Sequence, residues 1–248
     1  MTAVLTQPRL RPGGAADVPN CLIADAPPGA AVVLAIPGTP HEASDMAGSL
    51  SAHPAFARTT IIVPLADHAS DLGPGHSPDH AAAAAALARL LESLAEERGG
   101  MTGPLCLFGF GDGARTAQEL AMRAPRRTAR LCLASAGWFA MPLAELPPPY
   151  GIGGDVKAAF LDIPATVVVG LRDTRVDAAV PQDALILAHQ GRNRLRRARC
   201  YVRAAAACAD AHGIASRTAL VTQHGISPDF AQSVRNGGLI EIAAQALL

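Results

Sequence analysis

Five short apolar runs, separated by longer stretches of helical period, constrain the fold of this chain more than any other feature. They span Ala31–Ile36, Thr60–Leu65, Pro104–Phe108, Arg130–Ala134 and Ala165–Gly170, each five or six residues long. An apolar run of that length with no polar alternation is how a strand covered on both faces reads. Strand–helix alternation then implies a parallel sheet with right-handed crossovers. The periodicity predicts helices over 79–98, 113–124, 192–212 and 229–247. The first opens at Ser77-Pro78, where a serine caps free amides and a proline suits the first helical position. The residues before 31, rich in Pro and Gly, leave room for an antiparallel edge hairpin.

Half of the residues are hydrophobic and 17% are charged, which excludes a disordered chain and supplies a sizeable core. Lys+Arg and Asp+Glu both number 21, so no global field favours nucleic acid, and no nucleic-acid partner is expected. No apolar run reaches the roughly 18 residues of a membrane-spanning helix, and Met1–Gly14 has no stretch of signal-peptide type. The cysteines Cys21, Cys106, Cys132, Cys200 and Cys208 are odd in number and form no C-x-x-C pair, as in a reducing compartment. Cys106 and Cys132 lie inside apolar runs and read as inert small hydrophobes. The expectation is a cytoplasmic protein with no membrane contact. From Phe139 to Leu161, Pro142, Pro147, Pro148, Pro149, Gly151, Gly153 and Gly154 forbid a long regular element. This insertion falls between two strands, where a lid over a pocket would be placed. With no internal repeat, one domain over 1–248 is expected.

The most informative stretch is Leu105-Cys106-Leu107-Phe108-Gly109-Phe110-Gly111-Asp112-Gly113-Ala114-Arg115, an apolar strand, a glycine-rich turn and a helix. Two chemistries use such a turn. The dinucleotide fingerprint G-x-G-x-x-G/A fits as Gly109, Gly111 and Ala114. The nucleophile elbow G-x-S-x-G fits as Gly109, position 111 and Gly113, with glycine in place of the serine. A fingerprint normally follows the first strand of its unit, with an acid about twenty residues on for the ribose. Here two strands precede the turn, and the next strand, Leu131-Cys132-Leu133-Ala134-Ser135, ends without Asp or Glu.

With Ile36-Pro37-Gly38-Thr39, the turn at 109–114, Ala136-Gly137-Trp138, Val169-Gly170-Leu171-Arg172-Asp173-Thr174, Gln190–Leu195 and Gly237-Gly238-Leu239 in that order, residues 30–248 resemble the α/β-hydrolase superfamily. The resemblance is to its small bacterial esterase-like members near the dienelactone hydrolases and polyhydroxyalkanoate depolymerases. It implies one α/β-hydrolase domain, with a mostly parallel sheet, helices on both faces and 139–161 as lid. It also implies an oxyanion hole from the Thr39 and Asp112 amides beside Gly38, the nucleophile position at Gly111, and the catalytic acid at Asp173. Counting back from Phe230 puts Pro228 at the base position, and a proline carries no proton. His224, four residues away and within about 13 Å of extended chain, is the candidate base.

A serine triad needs a nucleophile, a base and an acid, and Gly111 has no side chain. The expectation is therefore a fold with a degenerate triad, non-catalytic or ligand-binding. The alternatives are a carboxylic-ester hydrolase altered at 111 or an enzyme of this fold needing no serine, and a dinucleotide-binding protein. Trp138, Phe139 and Tyr150 near the insertion suggest a modest apolar pocket for a small ester or acyl compound. No cofactor is expected, and a protein partner stays open. Ser135 reads as a structural hydroxyl. Asp67, His68, Asp71, His76, Asp79 and His80 crowd one loop; His76 and His80 have i, i+4 spacing, but the prolines around them favour a polar rim over a metal site. Arg192, Arg196, Arg199 and Arg203 form a stripe read as a solvated helix face.

Overall fold

The computed structural model describes residues 7–14, 17–65, 79–153, 157–176 and 180–248. Eight strands form one sheet: β1 (Arg9–Arg11), β2 (Cys21–Ala24), β3 (Val32–Ile36), β4 (Thr60–Pro64), β5 (Leu105–Phe110), β6 (Thr128–Ala134), β7 (Ala165–Gly170) and β8 (Thr218–Gln223). Their order is β1-β2-β4-β3-β5-β6-β7-β8. The pairs β1–β2 and β2–β4 are antiparallel and the other pairs parallel. All five expected strands are present, and the hairpin before residue 31 lies at the sheet edge as anticipated.

The helices are α1 (Ala43–Ala52), α2 (His80–Glu97), α3 (Asp112–Arg123), α4 (Lys157–Leu161), α5 (Ala184–Gln190), α6 (Arg194–Ala211), α7 (Phe230–Gly237) and α8 (Leu239–Leu247). The sheet has a core on each face. Leu34, Leu107, Leu131 and Val167 meet α2, α3 and α6 on one side, while Val33, Phe108, Cys132 and Val168 meet α1 and α8 on the other. Alternate residues of one strand thus enter opposite cores, which is why these runs are apolar throughout. Burial pushes the Cys132 thiol up to about 12, in keeping with an inert side chain.

The helix expected over 229–247 is two helices. Gly238, at φ 64° and ψ 31°, ends α7 in the left-handed region that favours glycine and starts α8 in a new direction. The described part of the 139–161 insertion is packed down. Phe139, Ala140, Met141, Leu146 and Ile152 are buried in the core. The Gln118 side chain exchanges hydrogen bonds with both backbone groups of Ala140, at 2.8 and 3.0 Å, and Gln190 does the same for Phe139, at 2.9 and 2.8 Å. These residues form part of the packed wall in this conformation; Gly154 lies outside the described residues. Ser77-Pro78 also lies outside them, and α2 is capped by Asp79, whose carboxylate accepts from the amides of Ala81 and Ala82. Among the described residues no helix is long and apolar enough to cross a membrane.

Candidate active site

β5 ends at Phe110 and α3 begins at Asp112, so Gly111 alone turns the chain, at φ 57° and ψ −124°. That is a sparsely populated conformation for any residue with a side chain. The flanking glycines are there for packing. A Cβ at Gly109 would lie 2.4 Å from Ala114 Cα, and one at Gly113 would lie 2.1 Å from the Ile36 carbonyl oxygen. Among the described residues, a Cβ at Gly111 would meet only Gly38 Cα, at 3.4 Å. This is elbow geometry: strand and helix close tightly, and the middle position projects into open space. Gly109 pairs with Ile36 and Leu133 inside the sheet, which leaves no loop for a pyrophosphate, so the geometry favours the elbow over the fingerprint.

The loop after β3 brings Gly38 against the elbow, as expected, but its amides are spent. Gly38 N–H and Thr39 N–H donate to Glu42 Oε2, at 2.9 and 3.1 Å. A carboxylate of the chain itself thus occupies donors that the expected oxyanion hole would use. Burial pushes the Glu42 carboxyl above its ordinary range; the two amides oppose this, and the charges of Asp229 and Asp112 add to it. Asp112 opens α3, and burial raises its carboxyl too, opposed by the Arg194 guanidinium.

Asp173 lies just after β7, 1% exposed, where its N–H donates to the Gly170 carbonyl at 3.1 Å and its carbonyl accepts from Leu195 N–H at 3.2 Å. Arg194 Nη1 stands 3.5 Å from Asp173 Oδ1, with both side chains buried. The acid position therefore faces a guanidinium at the start of α6. His224, the candidate base, is exposed in the turn leaving β8. The loop is anchored two residues later, where Ile226 is 2% exposed and its carbonyl accepts from Arg172 N–H at 3.0 Å. Pro228 is half-buried in the same loop, before α7.

Of the aromatic trio, Trp138 is buried beneath the insertion with the Arg115 guanidinium 4.6 Å from its ring centroid. Phe139 stacks on Tyr201 at 4.5 Å inside the core. The Tyr150 hydroxyl donates to Asp183 at 3.0 Å and its ring lies 5.8 Å from Trp138. Ser135 is 2% exposed, with φ 49° at the end of β6. His80 is buried, its Nδ1 3.0 Å from Thr116 Oγ1. Asp67, His68, Asp71 and His76 lie outside the described residues, and among the described residues no three His, Cys, Asp or Glu are grouped as metal ligands. The stripe Arg192, Arg196, Arg199 and Arg203 is exposed, as expected.

Three residues of the site escaped the sequence reading. Glu42 carries a signal, since Thr39-Pro40-His41-Glu42 has the T-x-x-E spacing that returns a carboxylate to the first amides of a helix. Arg194 and Arg115 are buried arginines, which no hydrophobic pattern marks.

The sequence matches no family model and no curated protein. Solved structures do match. A poly(3-hydroxybutyrate) depolymerase from Bordetella parapertussis is 22% identical, with a TM-score of 0.72 over 96% of this chain and 86% of that one. A poly(aspartic acid) hydrolase from Sphingomonas sp. KT-1 is 18% identical, with a TM-score of 0.73 over 98% of both chains. A dienelactone hydrolase from Anabaena variabilis is 14% identical, with a TM-score of 0.59 over 97% of both. The chain has the α/β-hydrolase fold.

Proposed function

We propose that this α/β-hydrolase-fold protein does not hydrolyse esters through a serine and instead binds a small ester or acyl compound. The carrying observation is Gly111 itself: the elbow conformation is present and the position that should attack has no side chain. Losing the nucleophile of a triad costs about a million-fold in turnover.

Two further features support the reading. Glu42 holds the Gly38 and Thr39 amides, so an oxyanion would have to displace a carboxylate already bonded there. Arg194 stands at the Asp173 carboxylate, where a histidine would need to be oriented. A guanidinium stays protonated at neutral pH and cannot act as a general base. The ester or acyl character of the ligand is taken from the depolymerase and lactone hydrolase among the structural neighbours.

The test is to incubate the protein and its Gly111→Ser variant with p-nitrophenyl butyrate and a serine-directed fluorophosphonate. Neither should turn the ester over above the uncatalysed rate, and neither should be labelled. Turnover by the wild type with labelling at one residue overturns the proposal. Turnover by the variant alone would show a competent base and reduce the loss to the single serine.

A further inference from the structure

A groove of about 670 Å³ lies between α6 and β8 at the edge of the sheet. Its walls include Leu195, Arg196, Arg199, Val202, Arg203 and Leu220, with no Asp or Glu among the described residues lining it. Leu195 belongs to the core under α6, and Val202 and Leu220 pack half-buried against that core. The groove therefore has an apolar floor and a basic rim.

The rim carries charge that the chain leaves unanswered. Arg196, Arg199 and Arg203 are exposed, and none of them forms an ion pair among the described residues. Exposed arginines elsewhere, such as Arg9, Arg89 and Arg217, each face a carboxylate. Here three guanidinium groups follow one another at i, i+3 and i+7 of one helix. Like charges at such spacings work against a helix, and opposite charges brought to them would reverse that. Two of the three are held in place. Arg203 donates from Nε to the Arg199 carbonyl at 3.3 Å and from Nη2 to Cys200 Sγ at 3.5 Å. The Arg196 stem lies against bare Gly191, where a Cβ would fall 2.4 Å from its Cδ.

Beside this row the sheet is open. β8 ends the strand order and pairs only with β7 among the described residues. Half of its backbone N–H and C=O groups therefore point outward, a template for one more strand. Two-fold pairing of β8 with β8 of a second copy would continue the sheet and set the two α6 flanks against each other. That seam would hold three guanidinium groups from each copy, so the charge that invites an acidic chain repels a second copy. The row is about 10 Å long at the helical rise. An extended chain repeats its side chains on one face about every 7 Å, so two or three carboxylates would match it.

We infer that this groove docks an extended acidic segment of another protein, which adds a strand to β8 and pairs its carboxylates with Arg196, Arg199 and Arg203. The inference is independent of what the elbow does. The probe is a fluorescein-labelled peptide of about ten residues alternating glutamate and threonine, titrated into the full chain and read by anisotropy. Binding should saturate and weaken with salt. The triple variant Arg196→Gln, Arg199→Gln, Arg203→Gln should bind about tenfold more weakly, whereas Arg58→Gln, exposed before β4, should bind as the wild type does. All four arginines are exposed, so folding of the variants is expected and is checked by circular dichroism. A peptide of the same charge with proline replacing each threonine cannot pair with β8 and should also bind about tenfold more weakly. Absence of saturable binding, or unchanged affinity in the triple variant, overturns the inference. Equal affinity for the proline peptide overturns it too, since charge alone would then account for binding. Tighter binding of a single-stranded RNA of equal charge would assign the groove to nucleic acid, and a dimer joined through β8 in solution would assign the edge to a second copy; either overturns the inference.

Discussion

Arg194 and Asp173 form a buried ion pair 3.5 Å apart, where the α/β-hydrolase resemblance places a carboxylate that orients a histidine. The same guanidinium acts on Asp112 at the elbow, so one cation links the acid position to the nucleophile position. Removing it takes a buried guanidinium away from two buried carboxylates. Arg194→Met should cost about 3–5 kcal/mol in chemical denaturation at neutral pH. Adding Asp173→Asn should recover part of that loss, because one of the two carboxylates the guanidinium opposes goes as well. A loss below about 1 kcal/mol, the range of exposed pairs, would show that the pair is better solvated than its burial suggests.

Glu42 makes the stability of the chain depend on pH in a defined direction. Its folded-state pKa is raised above the ordinary 4.5, by burial first and by Asp229 and Asp112 in addition. The folded chain therefore holds this proton more tightly than the unfolded chain. Between the two values unfolding releases a proton, and stability falls as pH rises. Glu42→Gln removes the titration and keeps an oxygen to accept from Gly38 and Thr39. Urea denaturation across about pH 4–8 should show a shallower fall for the variant. Asp112, raised in the same sense, is present in both proteins and keeps part of the slope in the variant. Identical slopes would mean that the Glu42 carboxyl is not perturbed.

The three elbow glycines should respond very differently to alanine. At Gly109 and Gly113 the new Cβ would fall 2.4 and 2.1 Å from main-chain atoms of neighbouring elements. Relief requires β5 and α3 to separate, so each should lose about 3 kcal/mol or more. Gly111→Ala has room and should lose only the backbone strain, about 1–3 kcal/mol. Thermal unfolding of the three variants should reproduce that ranking. If Gly111→Ala were as harmful as Gly113→Ala, the space assigned to a side chain at 111 would not exist.

What was legible in the sequence follows from which forces leave a local trace. The central strands β3, β5, β6 and β7 announce themselves because both faces are buried, so residues such as Val32, Val33 and Leu34 are all apolar. β8 lies at the sheet edge with most residues only half-buried, and Thr218-Ala219-Leu220-Val221-Thr222-Gln223 carries too mixed a pattern to stand out. α1 is absent from the sequence reading although Ala43, Met46, Ala47 and Leu50 are buried at helical spacing, because small and polar residues dilute the stripe. In the site, Gly109, Gly111, Gly113 and Asp173 were readable, since turn geometry needs particular residue types at fixed offsets. The partners were not. Nothing local to Arg194 or Arg115 says that tertiary packing will bury the guanidinium, and His224 was preferred as base by sequence distance alone.

Arg197 carries the same point to a measurable consequence for the packed wall. Fully buried in α6, it donates from Nε to the Gly191 carbonyl at 2.8 Å, from Nη1 to Gly137 at 2.7 Å and from Nη2 to Pro181 at 2.6 Å. Burial lowers its pKa to about 10, with the Arg194 charge acting in the same direction, so it remains cationic at neutral pH. One planar guanidinium thus ties together the three backbone segments at Gly137, Pro181 and Gly191. Arg197→Met leaves the buried carbonyls of Gly137 and Gly191 and the half-buried one of Pro181 without this donor and should cost about 3 kcal/mol. Arg197→Lys keeps the charge but not the fork and should fall between methionine and wild type. Because Gly137 precedes Trp138, loosening that segment should also shift tryptophan emission to longer wavelength in the methionine variant under native conditions. A destabilised variant with unchanged emission would confine the role of Arg197 to the 181 and 191 segments.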